Sequence, residues 1–125
     1  MKYLCLIYSD EKSLDARPES EWGGVVSECL AVDDELRKSG HVIASEALQP
    51  VHTATTVRVR NGRLSTTDGP FAETKEQLGG FYLIDARDLN DAIQVAARIP
   101  AARWGSVEVR PVWELRRHEP KARRP

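Results

Sequence analysis

The run Asp68-Gly69-Pro70-Phe71-Ala72-Glu73-Thr74-Lys75-Glu76, with Gly79-Gly80-Phe81-Tyr82 close behind it, decides how the rest of the chain is read. Gly69 tolerates backbone conformations that a side chain forbids, while Pro70 fixes its own φ and drives Gly69 out of the helical region. One aromatic and four ionisable side chains share those nine positions. A segment built this way is a shaped loop, and shaped loops on rigid scaffolds often carry function.

Both flanks of the loop read as strands. Upstream, Thr53 to Arg60 is β-branched and alternates, with Val57 and Val59 on one side and Thr56, Arg58 and Arg60 on the other. Asn61-Gly62 then signals a two-residue type I′ hairpin turn, which needs positive φ twice. Arg63 to Thr67 is the returning strand and delivers the chain into Asp68. Downstream, Phe81 to Asp85 is a strand, and Asp88 caps a helix over Leu89–Ile99, helped by Asp91 three residues on. Pro100 marks its stop, and Val107 to Trp113 is the last strand.

The amino-terminal third reads as strand, loop, helix and strand. Residues 2–8 are a short, nearly continuous apolar run, a strand buried on both faces, and residues 9–18 are a polar loop. From Glu19 to Ser39, Trp22, Val25, Val26, Cys29, Val32 and Leu36 recur at helical spacing. Gly23-Gly24 weakens the first turn, and Gly40 is the left-handed stop. His41 to Ala44 is the second strand. The sum is β-α-β, a hairpin, then β-α-β, an α+β sandwich of the ferredoxin-like type. Two helices cover one face of such a sheet. The other, expected to carry Val57, Val59, Leu83 and Val107 or Val109, needs a second copy as its cover, so a homodimer is expected.

Size and composition agree with one small domain. At 125 residues, 41% hydrophobic and 30% charged, the chain is ordinary globular protein. The net charge of −1 is uneven: residues 116–125 hold five basic side chains and one acid, so residues 1–115 carry −5. The domain is therefore expected over 1–115, followed by a basic, poorly ordered tail. An acidic body argues against direct nucleic-acid binding. No apolar run approaches membrane-spanning length and no export signal stands at the start, so the cytoplasm is the expected compartment. Cys5 and Cys29 read as reduced packing thiols.

Further stretches of the chain, Leu48-Gln49-Pro50, Ala54-Thr55-Thr56-Val57-Arg58, Leu78 to Asp85 and Gly105 to Pro111, accompany the Asp68 to Glu76 run. Together they resemble the pattern of the DGPF proteins within the YCII-related family, from Met1 to about Val112. The resemblance implies a ferredoxin-like domain assembled as a dimeric α/β barrel, with a cleft walled partly by the signature loop. It also implies small-molecule chemistry of the lyase or dehydrochlorinase kind, for which a His–Asp pair has been proposed in relatives. A tie to extracytoplasmic-function sigma factors, as a regulatory partner, is the alternative it raises.

Of the three histidines, His118 lies in the tail and His41 follows the helix stop, where a structural role suffices. His52 sits in the Pro50 to Thr53 loop with nothing at fixed spacing to pair with it. The acids are better placed. Asp68, Glu73 and Glu76 share a loop with Lys75, and a buried carboxylate beside a lysine can be tuned for proton transfer. The expected catalytic pair is Glu73 and Asp68, with Lys75, Arg58, Phe71, Glu46 and His52 binding substrate. Against that stands a structural reading, in which Asp68 bonds its own turn and Glu73 or Glu76 pairs with Lys75 or Arg58. No metal-ligand spacing, dinucleotide fingerprint or serine-hydrolase elbow appears, so no cofactor is expected.

Overall fold

β1 (Lys2–Ser9) is the axis of the domain. In the computed structural model, which describes residues 1–115, it pairs antiparallel with β5 (Gln77–Asp85) on one side and β6 (Ser106–Pro111) on the other. β2 (Val42–Ala47) extends the sheet beyond β5, giving the order β2-β5-β1-β6. The elements between them are α1 (Glu11–Asp15), α2 (Glu19–Lys38) and α3 (Leu89–Ala97). This antiparallel α+β arrangement is consistent with a ferredoxin-like fold. The basic segment 116–125, expected as a tail, lies outside the described residues.

Alternation along β1 separates the two faces of the sheet. Tyr3 and Cys5 point to the helices and are buried, with Ile7 packed beside them. Cys5 stands opposite Val109 and Ile7 opposite Val107. Tyr82 and Ile84 of β5, Leu36 of α2 and Ala92, Val95 and Ala96 of α3 complete this core. Leu4, Leu6 and Tyr8 point the other way, opposite Leu83, Phe81 and Leu78. They are half-buried and belong to no part of the core cluster.

The composition of that second face departs from expectation. Leu83 is on it, but Val107 and Val109 face the helices, because the register places them opposite the inward residues of β1. Val57 and Val59 are absent from this sheet altogether. They belong to β3 (Thr55–Arg60), which pairs only with β4 (Arg63–Asp68) as a separate two-stranded hairpin. Its turn is as expected, with Asn61 at φ 52° and Gly62 at φ 74°.

Local signals set most element ends. Asp88 accepts a hydrogen bond from Asp91 N at 2.8 Å and starts α3. Gly40 at φ 81° ends the turn after α2. β5 begins four residues before Phe81, so Gly79 and Gly80 lie within it; pattern alone gave no reason to run a strand through two glycines. Residues 9–18, expected as a loop, include α1, whose first turn is capped by the Asp10 side chain accepting from Lys12 N at 3.2 Å. Trp22 and Val26 of the α2 stripe are exposed, since only Leu36 of that helix is fully buried.

Candidate functional site

β5 connects the two ends of the sheet where polar side chains gather. Its nine residues hold those ends ~26 Å apart, at ~3.3 Å per step. The Asp68–Glu76 loop enters one end, and His41 and Asp91 stand at the other.

The loop is anchored at both of its own ends. Gly69, at φ 98°, donates its N–H to Ala54 O at 2.7 Å, and Thr56 Oγ1 donates to Gly69 O at 2.8 Å. At the far end, Thr74 Oγ1 donates to Glu76 O at 2.5 Å and Gln77 Nε2 donates to Thr74 O at 2.7 Å. Ser106 Oγ donates to Glu76 Oε1 at 2.8 Å, tying the loop to β6. Glu11 joins from the other side. Its N–H donates to Gln77 Oε1 at 2.9 Å and its carboxylate accepts from Val51 N at 3.0 Å.

Between those anchors the loop stands out into solvent. Phe71 is 78% exposed, and Asp68, Glu73 and Lys75 are exposed too. Among the described residues no ion pair joins Asp68, Glu73 or Glu76 to Lys75 or Arg58. Glu46 lies on the open sheet face opposite Phe81, the first aromatic after the loop. His52 is exposed on the short 3-10 turn Val51–Thr53 leading to β3, and half-buried Arg58 sits in β3 opposite Ser65. Among the described residues, no side-chain hydrogen bond or ion pair links the expected residues to one another.

Glu11, placed by α1, and the Glu108–Arg110 pair escaped the sequence; Glu76, read with the loop acids, is held by Ser106, thirty residues away. Glu108 and Arg110 pair with each other on the open face. For these last two a signal did exist, since they alternate with the inward Val107 and Val109.

At the opposite end, Ser39–His41, Asp85–Arg87 and Asp91 line an open depression of about 360 Å³. His41 Nε2 lies 3.6 Å from Asp91 Oδ2, and Ser39 Oγ is 2.7 Å from His41 Nδ1. Asp91 also accepts from Arg87 N at 3.0 Å and lies 3.5 Å from Arg87 Nη2. The Arg87 backbone bond, then its guanidinium and His41, hold the Asp91 carboxyl below its ordinary range. These contacts close the end of α2 and the start of α3. A His–Asp pair therefore exists in the fold, built by two segments distant in sequence and remote from the loop.

Asp33 of α2 forms a third polar group. Partial burial opposes its ionisation, but hydrogen bonds from Ser45 Oγ at 2.6 Å and Arg37 Nε at 2.7 Å outweigh that and lower its pKa. This group fastens α2 to β2. Among the described residues no cluster of three or more His, Cys, Asp or Glu is placed to hold a metal ion, and no helix is long and apolar enough to cross a membrane.

An antiparallel four-stranded sheet with helices on one face, an inserted hairpin and an anchored acidic loop define a small α+β domain whose other face is covered by no helix among the described residues. Residues 1–116 match the YCII-related domain, and the chain belongs to that family. An uncharacterised protein of Rhizobium meliloti (strain 1021) is 40% identical over 114 residues, covering 90% of this chain and 92% of that protein.

Proposed function

We propose that this YCII-related protein is a homodimer that binds a small molecule between the open sheet face and the Asp68–Glu76 loop, and acts on it by metal-free acid–base chemistry of a lyase-like kind. One observation carries the reading. The half-buried apolar face of Leu4, Leu6, Phe81 and Leu83 runs directly to the rim where the loop presents Phe71, Glu73 and Lys75. A second copy laid on that face, in the manner of a dimeric α/β barrel, turns an open surface into a cleft and removes water from the loop acids.

In that cleft Glu73 exchanges a proton with the ligand, screened from bulk water by the partner. Asp68 holds the loop's entry, Lys75 and Arg58 neutralise an anionic group, and Phe71 with Glu46 and His52 line the wall. The test is a thermal-shift screen of small carboxylates, phenols and central metabolites against wild type and Glu73→Ala. A compound that stabilises wild type alone supports the reading. A compound that stabilises both variants equally moves the ligand away from Glu73.

A second reading, a non-catalytic dimeric module that binds a metabolite or a regulator such as a sigma factor, has its own observation. The His41–Asp91 pair, the arrangement suggested for relatives, lies at the far end of β5 from the loop. Silence across the screen together with a regulator captured by the purified dimer would favour it.

A further inference from the structure

β3 and β4 pack on each other and on no other element to a comparable degree. A lone two-stranded hairpin is marginal in water, so six-residue strands with little of the domain packed behind them call for a support. The register gives this one two unlike faces. Val57 lies opposite Thr66 and Val59 opposite Leu64, so one face carries all three large apolar side chains of the hairpin, with Thr55, Thr66 and Asp68 beside them. Its large side chains are bare: Val57 and Val59 are each 59% exposed and Leu64 is 69%. Arg58, and Arg60 directly across from Arg63, occupy the other face.

Those three arginines differ from others in the chain. Arg37, Arg87, Arg98, Arg103 and Arg110 each meet a carboxylate. Arg58, Arg60 and Arg63 meet none among the described residues, and opposed like charges cost stability in a hairpin. With Asp68 counted, residues 55–68 carry +2, while residues 1–115 as a whole carry −5, leaving −7 on the remainder. The acidic surface that suits this basic hairpin is the body of the same kind of chain. Under two-fold symmetry each copy offers one hairpin and one acidic body, and the contacts close.

We propose that the β3–β4 hairpin is an arm that docks on a second copy of this chain, with Val57, Val59 and Leu64 against the partner. The inference rests on the homodimer reading above and deepens it. Opposite charge draws arm and body together at long range, and the apolar face holds them. The docked arm also sets the loop. Gly69 is bonded to Ala54 and to Thr56 at the arm's base, so fixing the arm fixes where Asp68, Phe71 and Glu73 stand relative to the partner.

The experiment is amide hydrogen exchange on the full chain at ~1 µM and ~100 µM, with sedimentation velocity on wild type and the V57T/V59T/L64T variant. Threonine keeps a β-branched side chain at 57 and 59 and places one at 64, all on an exposed surface, and the core is untouched. The expected result is a dimer whose arm amides gain protection with concentration. The variant should dimerise at least ~10-fold more weakly at unchanged circular dichroism, and added salt should weaken wild-type association. A wild-type dimer with a rapidly exchanging arm, and an equally tight variant, overturns the arm while sparing the dimer. A monomeric wild type overturns both. Arm protection in a sample that sedimentation shows to be monomeric means that the chain covers its own arm, and overturns the proposal as well.

Discussion

His41 Nε2 lies 3.6 Å from Asp91 Oδ2, and this contact joins the end of α2 to the start of α3. Asp91 serves its own helix at the same time. Its N–H is capped by Asp88, and its carboxylate accepts from Arg87 N. One side chain thus closes a helix start and braces a neighbouring helix end.

Asp91 therefore shapes the acid limb of stability. The Arg87 backbone bond above all keeps its folded pKa below the ordinary 3.8. A carboxylate depressed in the folded state contributes stability that is fully present above its unfolded pKa and is lost as pH falls through the folded one. Asp91→Asn should lower the melting temperature at neutral pH and flatten its fall below about pH 4. Thermal melts of both proteins from pH 7 to pH 3 check this; parallel acid limbs would refute it.

Glycines of the second half should separate sharply on substitution. A Cβ on Gly105 would lie 2.1 Å from Tyr8 O, and one on Gly80 would lie 2.8 Å from Glu46 O, both backbone atoms. A Cβ on Gly79 meets nothing within 4 Å. Gly105→Ala should cost about 3 kcal/mol and Gly80→Ala about 1–2 kcal/mol by overpacking, whereas Gly79→Ala should stay within about 0.5 kcal/mol. Urea unfolding of the three variants gives the ranking.

Thiol chemistry should report the core directly. Burial pushes the Cys5 thiol up to about 11, and the side chain is fully buried. Cys29 is half-buried, and its pKa is raised by burial and by the Glu28 charge against the opposing pull of Arg103. At pH 8 a disulfide reagent should therefore label Cys29 slowly and Cys5 only on unfolding. Cys29→Ala should abolish native-state labelling. Burial likewise carries Tyr82 to about 12. Because its folded pKa is raised, its contribution is complete below pH 10 and falls as pH climbs toward 12, so Tyr82→Phe should soften the alkaline loss.

The hairpin turn offers a lever on the arm alone. Gly62 sits at φ 74°, a conformation that costs a side chain about 1–2 kcal/mol. Gly62→Ala should speed exchange in β3 and β4 and leave β1 and β5 unchanged. Uniform loosening of the whole chain would show that the arm is integral to the core.

Local chemistry was readable wherever a residue acts on its own neighbours. Asp88 and Asp91 announced α3, Asn61-Gly62 announced the hairpin, and Gly69-Pro70 announced the loop, because caps and turns satisfy backbone groups a few residues away. The α2 stripe was legible as a period but not as a depth. Trp22 and Val26 obey the spacing, yet burial depends on which neighbour lies over them. The candidate site divides the same way. Asp68, Phe71, Glu73 and Lys75 share a loop by covalent connection, whereas Ser106 reaches Glu76, and Asp91 reaches His41, only because the sheet brings separate segments together.

The sequence by itself determined the order of the six strands with α2 and α3, the hairpin turn, the Asp88 cap and the backbone form of the acidic loop, since each follows from short-range sterics and hydrogen bonding; α1 was not among them. Tertiary structure alone decided which strand face meets the helices. Strand register, not composition, turned Val107 and Val109 inward and left Leu4, Leu6, Phe81 and Leu83 outward. It also decided that Val57 and Val59 stand on an arm apart from the sheet. Side-chain alternation of period two says that a strand has two faces; only the pairing of one strand with another says which face is which.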